Sequence, residues 1–171
     1  MIKYFLVDFE TTGLVSDEDY PIEIGGLYLN ASWEIVHTID TLILWPQVTN
    51  ATYWENQHWN ASVVHRISKL EYIEKAQIYT DVAKLVVEKC AGARPILMSD
   101  CIVFEWSFMQ KLLKHANLDW PFHYCGWDTS LLFEVLKTRE PIPPHRAFRD
   151  TCQTYKSLVE SITKGMGLSK I

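Results

Sequence analysis

Asp8 and Glu10 interrupt the most apolar stretch near the start of the chain, Ile2-Lys3-Tyr4-Phe5-Leu6-Val7-Asp8-Phe9-Glu10. Side chains alternate along a strand, so positions 8 and 10 share one face while Val7 and Phe9 take the other. Two carboxylates about 7 Å apart along a strand repel each other and resist burial unless a cation or a hydrogen-bond donor lies between them. The pair is a candidate cation site; its ordinary alternative is an exposed strand end. A second pair, His145 and Asp150, lies five positions apart. On one continuous helix the two would point about 140° apart and could not face one site. Pro141, Pro143 and Pro144 change that expectation, because they hold His145 in an extended segment ahead of a helix starting near Ala147, whose first turn carries Asp150. A lone histidine is most often an ordinary surface or core residue. Set among prolines, arginines and a carboxylate, with an unperturbed pKa near ~6.5, it is suited to proton transfer at neutral pH.

The elements that must bring these pairs together follow from the apolar periodicity. Residues 2–9, 22–30 and 33–44 are rich in β-branched, aromatic and aliphatic side chains and predict three strands, parted by Gly13 and Ser16-Asp17-Glu18-Asp19 and then by Asn30-Ala31-Ser32. The second connection is short enough for a hairpin, so an antiparallel meander is expected. Helical spacing follows over 60–70 and 80–90, with Thr80 and Asp81 placed to start the second helix. Strand and helix then alternate: strand 95–99, helix 104–116, strand 122–126, helix 129–136. Pro141-Ile142-Pro143-Pro144 forbids helix, which resumes over 148–162 and ends before Gly165 and Gly167. Three antiparallel strands followed by this alternation predict an α/β fold, a mixed five-stranded sheet of three antiparallel and two parallel strands flanked by helices, since parallel neighbours require crossovers.

Composition bounds what such a chain can be. Its 171 residues are 48% hydrophobic and 22% charged, the balance of a single globular domain over 1–171 that needs neither disulfides nor structural metal to form a core. No run approaches the ~20 apolar residues of a membrane span. The apolar start is cut off by Asp8, too early for a signal peptide, which implies a cytoplasmic location. Cys90, Cys101, Cys125 and Cys152 contain no Cys-x-x-Cys pair and are expected to be free thiols. Asn30-Ala31-Ser32, Asn50-Ala51-Thr52 and Asn60-Ala61-Ser62 match the glycosylation pattern, but carry no weight without a secretory signal.

A net charge of −5 and a pI near 5.6 argue against non-specific binding to duplex nucleic acid over a whole face. A local basic run remains, Lys137, Arg139, His145, Arg146, Arg149 and Lys156, which could equally be a solvated face. Seven tryptophans, four of them within 33–59 (Trp33, Trp45, Trp54, Trp59), point either to an aromatic surface for self-association or a protein partner, or to a Trp-rich core.

Val7-Asp8-Phe9-Glu10-Thr11-Thr12-Gly13-Leu14 resembles the first motif of the DEDDh 3′→5′ exonucleases, the DnaQ-like group, and His145-Arg146-Ala147-Phe148-Arg149-Asp150 is similar to its third. The segment 60–68, with His65, and Trp127-Asp128-Thr129 resemble the linking segments, so the likeness covers nearly the whole chain. The second motif departs from the pattern. Phe104-Glu105-Trp106 stands where the group has an aspartate after a Phe, and Asp100-Cys101 replaces the usual His-Asn pair. Either Glu105 is the metal-facing acid, the favoured reading, or Asp100 has taken that role; as a structural residue Asp100 suits a helix cap.

The resemblance implies a ribonuclease H-like fold and two Mg²⁺ or Mn²⁺ ions, which as hard cations prefer oxygen ligands. It implies that Asp8 bridges both ions, that Glu10 and Asp150 hold the one carrying the attacking water, that Glu105 supports the second and that His145 deprotonates the water. The implied reaction is hydrolysis at the 3′ end of single-stranded DNA or RNA, releasing nucleoside 5′-monophosphates. Thr11, Gly13, Leu14 and Trp106 are expected near an unstacked 3′ base, with Arg146 and Arg149 near the phosphates. Phe9 and Phe108 are weighed for the same role but expected in the core. The altered second motif keeps a different class in view, a catalytically weak member of the fold serving as a nucleic-acid-binding or protein-interaction module.

Overall fold

The computed structural model describes residues 1–50, 54, 61, 64–136 and 145–165. Strands β1 (Ile2–Thr11), β2 (Pro21–Asn30) and β3 (Ile35–Leu44) form the expected meander, with Asp8 opposite Gly25 and Glu10 opposite Glu23 in the β1–β2 register. Two further strands, β5 (Ile96–Ser99) and β6 (Gly126–Asp128), extend the sheet in parallel beyond β1, and a two-residue strand, β4 (Gln77–Ile78), pairs in parallel with β3. The order is β4-β3-β2-β1-β5-β6, six strands where the apolar pattern predicts five. Two residues are too few to show a period, which is why β4 escapes it.

The last strand also starts later than the predicted 122–126. Phe122 is a core residue, stacked at 5.6 Å on Phe5, and the His123 N–H donates to the Pro95 carbonyl. Ladder pairing begins only where Gly126 meets Leu97. Gly126 lies hard against Ile102, where a Cβ would come within 2.7 Å of the side chain.

Five helices follow among the described residues: α1 (Lys69–Lys75), α2 (Tyr79–Cys90), α3 (Ile102–His115), α4 (Ser130–Leu136) and α5 (Ala147–Gly165). The helix expected over 60–70 gives way to α1, which begins after an extended stretch. Arg66 lies in the left-handed region at φ 60°, and the Ser68 hydroxyl accepts from the Glu71 N–H to cap the new start. Residues 61, 64 and 65 are helical, whereas 60, 62 and 63 lie outside the described residues, as do 137–144 with the proline break. The helix predicted over 80–90 ends as Ala91 and Gly92 turn left-handed.

Strand alternation divides the core in two. Phe5, Val7 and Phe9 point into the larger cluster beneath α2 and α3, with Phe108, Leu112 and Val86. Tyr4 and Leu6 point the other way, with Leu27, Leu29, Met98, Phe133 and Leu158, under α4 and α5. Asp8 and Glu10 continue this second face, beyond the point where apolar side chains fill it. The N-terminus of α5 reaches them because position 25 is glycine: a Cβ there would lie 2.1 Å from the Phe148 nitrogen. The Thr151 hydroxyl then donates to the Gly25 carbonyl at 2.9 Å.

Three of the tryptophans of 33–59 are described, and they pack inward. Trp45 is fully buried, its indole N–H donating to the Pro21 carbonyl at 2.7 Å. Trp33 stacks on Tyr4, and Trp54 packs against Tyr72. Of the two alternatives, these three follow the core one; Trp59 lies outside the described residues. All four cysteines are free. No helix among the described residues is long and apolar enough to cross a membrane.

Candidate active site

Two strand positions, one helix start and a second helix start converge on a single cleft. Glu10, at the end of β1, is 7% exposed, and Asp150 in the first turn of α5 is equally buried. His145 precedes α5 and places Nδ1 3.3 Å from Asp150 Oδ2. One potential ligand atom from each of Glu10, His145 and Asp150 lies within 4.8 Å of the others. Glu105 comes from the first turn of α3 and is 4% exposed, its carboxylate accepting from the Phe9 N–H. Asp8, Glu10, Glu105 and His145 all line the cleft, whose volume is about 630 Å³, together with Thr11, Thr12, Gly13 and Leu14 on one lip and Ala61, Val64, His65 and Phe104 around them.

Electrostatics set this cleft apart. Burial, then the negative charges of Glu23 and Asp150, push Glu10 up to about 8, with Arg146 opposing. Asp8 and Glu105 are raised well above the usual carboxylate range, first by desolvation and then by neighbouring negative charge, Glu10 acting on both and Asp8 on Glu105. Asp150 is raised by burial, against the pull of His145 and Arg149. The protein's own cations thus leave the cluster under-compensated. Glu10 Oε1, Glu105 Oε2 and Asp150 Oδ1 are buried without a hydrogen-bond partner, a costly arrangement that a divalent cation relieves. Oxygen donors of full negative charge, converging from three elements, fit a hard ion such as Mg²⁺ or Mn²⁺.

The expected substrate residues are placed unevenly. The Thr11 hydroxyl donates to the Gly13 carbonyl, and Gly13 sits so close to the Asp19 carboxylate that a Cβ would lie 2.3 Å from Oδ2. Leu14 projects at 82% exposure. Trp106 does not reach the acids: it packs on Trp120 and lines a separate depression with Ile102, Val103, Tyr124 and Gly126, while Phe104 on the same helix takes the place beside the cleft. The Arg146 guanidinium, expected near the phosphates, is bound to Glu23 and Glu71. Arg149 is exposed at the start of α5.

Asp100 also differs from its expected part as a cap. Its carboxylate accepts from the Thr129 hydroxyl at 2.7 Å, and the first N–H of α3, that of Ile102, goes instead to Asp128 at the end of β6. Asp100 still adds to the repulsion felt by Asp8. Periodicity alone overlooked Glu23, although it carried the same signal as Asp8, an acid set in the apolar run Pro21-Ile22-Glu23-Ile24.

No protein-family model matches the sequence, and no curated protein matches it as a relative. Solved structures do match in three dimensions. Exonuclease I of E. coli in complex with a dT13 oligonucleotide superposes with a TM-score of 0.70 at 12% identity, covering 97% of this chain and 42% of that one. The zinc-bound E. coli ExoI–ssDNA complex gives 0.74 at 11% identity, over 96% and 41%. A moderately thermophilic Exonuclease I from Methylocaldum szegediense gives 0.72 at 12%, over 96% and 41%. The chain spans about two-fifths of the length of these proteins, and over that span its mixed sheet and flanking helices have the ribonuclease H-like fold.

Proposed function

We propose that this chain is a metal-dependent 3′→5′ exonuclease of the DEDDh group, releasing nucleoside 5′-monophosphates from the 3′ ends of single-stranded DNA or RNA. The observation that carries the reading is the convergence of four acids, Asp8, Glu10, Glu105 and Asp150, on one cleft, three of them with a buried oxygen that no protein group satisfies. A fold shared with exonucleases does not by itself assign chemistry; the acids and His145 supply that part.

Asp8, Glu10, Glu105 and Asp150 would hold Mg²⁺ or Mn²⁺, two ions by the family resemblance, which when bound polarise the phosphodiester and stabilise the attacking and leaving oxygens. Asp150 orients the base, because an Nδ1–H directed at its carboxylate leaves Nε2 of His145 to accept a proton from the attacking water. Half-exposed, His145 can pass that proton on to solvent. Leu14 and Phe104 give the cleft apolar walls against which an unstacked terminal base can lie. The fork of Glu105 rather than Asp100 is the second-motif acid in this reading, since it is the buried one that faces the cleft. Single-stranded oligonucleotides occupy the structurally similar Exonuclease I complexes, which supports the same substrate class here.

The test is a panel of 5′-labelled single-stranded and duplex DNA and RNA, with Mg²⁺ or Mn²⁺. A ladder shortening one residue at a time from the 3′ end, with mononucleotide product, is expected on the single strands. Binding without shortening would favour the interaction module instead.

A further inference from the structure

Glu23 carries a carboxylate where the fold can least tolerate one. It is 2% exposed on β2 and directly opposite Glu10 in the antiparallel register. Like charges facing each other across a strand pair are destabilising, so a fold that keeps both must answer one of them within the protein. The answer comes from the segment of the third motif, 123 residues along the chain. Arg146 donates to Glu23 through Nε at 2.9 Å and Nη2 at 2.6 Å, and the Ala147 backbone N–H donates to the other carboxylate oxygen at 2.9 Å. Nη2 of Arg146 also reaches Glu71 of α1 at 3.3 Å.

These contacts grip the chain at two successive residues immediately after His145. The Ala147 amide is among the first-turn donors of α5 that have no acceptor within a helix, so Glu23 caps α5 from a neighbouring strand. Asp150 hangs from the same turn, its N–H bonded to the Arg146 carbonyl at 2.9 Å. Glu23 therefore touches neither His145 nor Asp150, yet holds the piece of backbone from which both project.

We propose that Glu23 is a positioning residue for the reaction: through Arg146 and the Ala147 amide it sets His145 and Asp150 against Asp8 and Glu10. Arg146 belongs to this clamp and not to the path of the phosphates. The inference rests on the exonuclease reading above, and the experiment separates the two. Glu23→Gln keeps the volume but turns an N–H₂ toward the guanidinium or the amide. It should lower kcat about 10–10²-fold, the cost of misplacing groups by an ångström or so, with KM for a single-stranded oligonucleotide held within about twofold. Arg146→Lys keeps the charge but loses the planar fork and should lower kcat in the same way; it carries the test should Glu23→Gln not fold. The double variant should be no slower than the slower single one, because both act through one contact.

A second readout needs no turnover. In the wild type the Arg146 Nε–H and Ala147 amide exchange slowly with solvent, and in Glu23→Gln both should exchange fast while the β1–β2 amides stay protected. Wild-type turnover in Glu23→Gln, a loss confined to KM, or multiplicative losses in the double variant would each overturn the clamp. A wild-type protein that shortens no strand would overturn the exonuclease reading itself, and with it the reaction that the clamp serves.

Discussion

Glu105 stands where the resembling family has an aspartate, in the first turn of α3, where the Phe9 N–H meets one carboxylate oxygen and the other is left buried in the cleft. Glu105→Gln keeps the shape and removes the charge that a metal needs, so the rate of strand shortening should fall at least about 10²-fold, as expected when a group acting on charge in the transition state is lost. Glu105→Asp should stay within about tenfold of wild type. Asp100→Asn exchanges one acceptor of the Thr129 hydroxyl for another and should cost about 1 kcal/mol or less by thermal unfolding, with turnover nearly intact. A dead Asp100→Asn beside an active Glu105→Gln would move the second-motif acid by five residues. His145→Ala should slow cleavage about 10²–10⁴-fold, the usual contribution of a placed general base. A His145→Ala variant that cleaves at the wild-type rate would assign the base elsewhere.

The two elements that deliver these residues differ in how they are held. Helix α5 is seated by close packing, its backbone against Gly25, and by the charges of Glu23 and Arg146. The loop between β1 and β2, which carries Gly13 and Leu14, is held by a buried ammonium. Lys111 on α3 donates to the carbonyls of Ser16 at 2.7 Å and Asp19 at 2.6 Å, more distantly to Asp17, and lies 4.1 Å from the centre of the Tyr20 ring. Asp19 accepts from the Thr12 hydroxyl and the Val15 N–H, closing the loop on itself. Lys111→Met leaves these carbonyls without their donor and should destabilise the fold by about 1–3 kcal/mol. The freed loop should raise KM for an oligonucleotide more than it lowers kcat, since the acids lie on other elements; steady-state kinetics on one single strand checks this split, and a loss in kcat alone would contradict it.

Strand and helix order, the meander and the pairing of His145 with Asp150 were legible because each rests on local signals: alternation, turn residues and a proline break. What stayed hidden depends on distant partners. Nothing near Arg146 in sequence announces Glu23, nothing near Asp128 shows that it caps α3, and whether Trp45 is a surface or a core aromatic is open until Pro21 and Tyr79 are seen around it. Of the candidate site, Asp8, Glu10, His145 and Asp150 were readable from type and spacing and Glu105 only from the family resemblance, whereas the positions of Trp106 and Arg146 depend on which side of a helix packs inward and which carboxylate lies within reach.

Four acids, Asp8, Glu10, Glu105 and Asp150, share one cleft, and that has a consequence for stability. Glu10 ionises near pH 4.5 when unfolded and near 8 when folded, so between those values the native state binds more protons than the unfolded one, and stability falls as pH rises. Asp8, Glu105 and Asp150 are shifted in the same direction and steepen the slope. In chelator, the melting temperature should therefore be higher near pH 5 than near pH 8. A cation that binds only the folded state reverses the trend by mass action, so the stabilisation by Mn²⁺ should grow with pH; a shift equal at both pH values would count against the acids as its ligands.

Release of labelled mononucleotide from a single strand labelled in its 3′-terminal residue, followed with Mn²⁺ and then with excess chelator, for the wild type beside Asp8→Asn, bears on all of this at once. Rapid release in Mn²⁺ that chelator abolishes and Asp8→Asn lacks, while Asp8→Asn keeps a native melting transition, is the expected result. Release that persists in chelator, or that survives in Asp8→Asn, would contradict a carboxylate-held cation as the source of the chemistry.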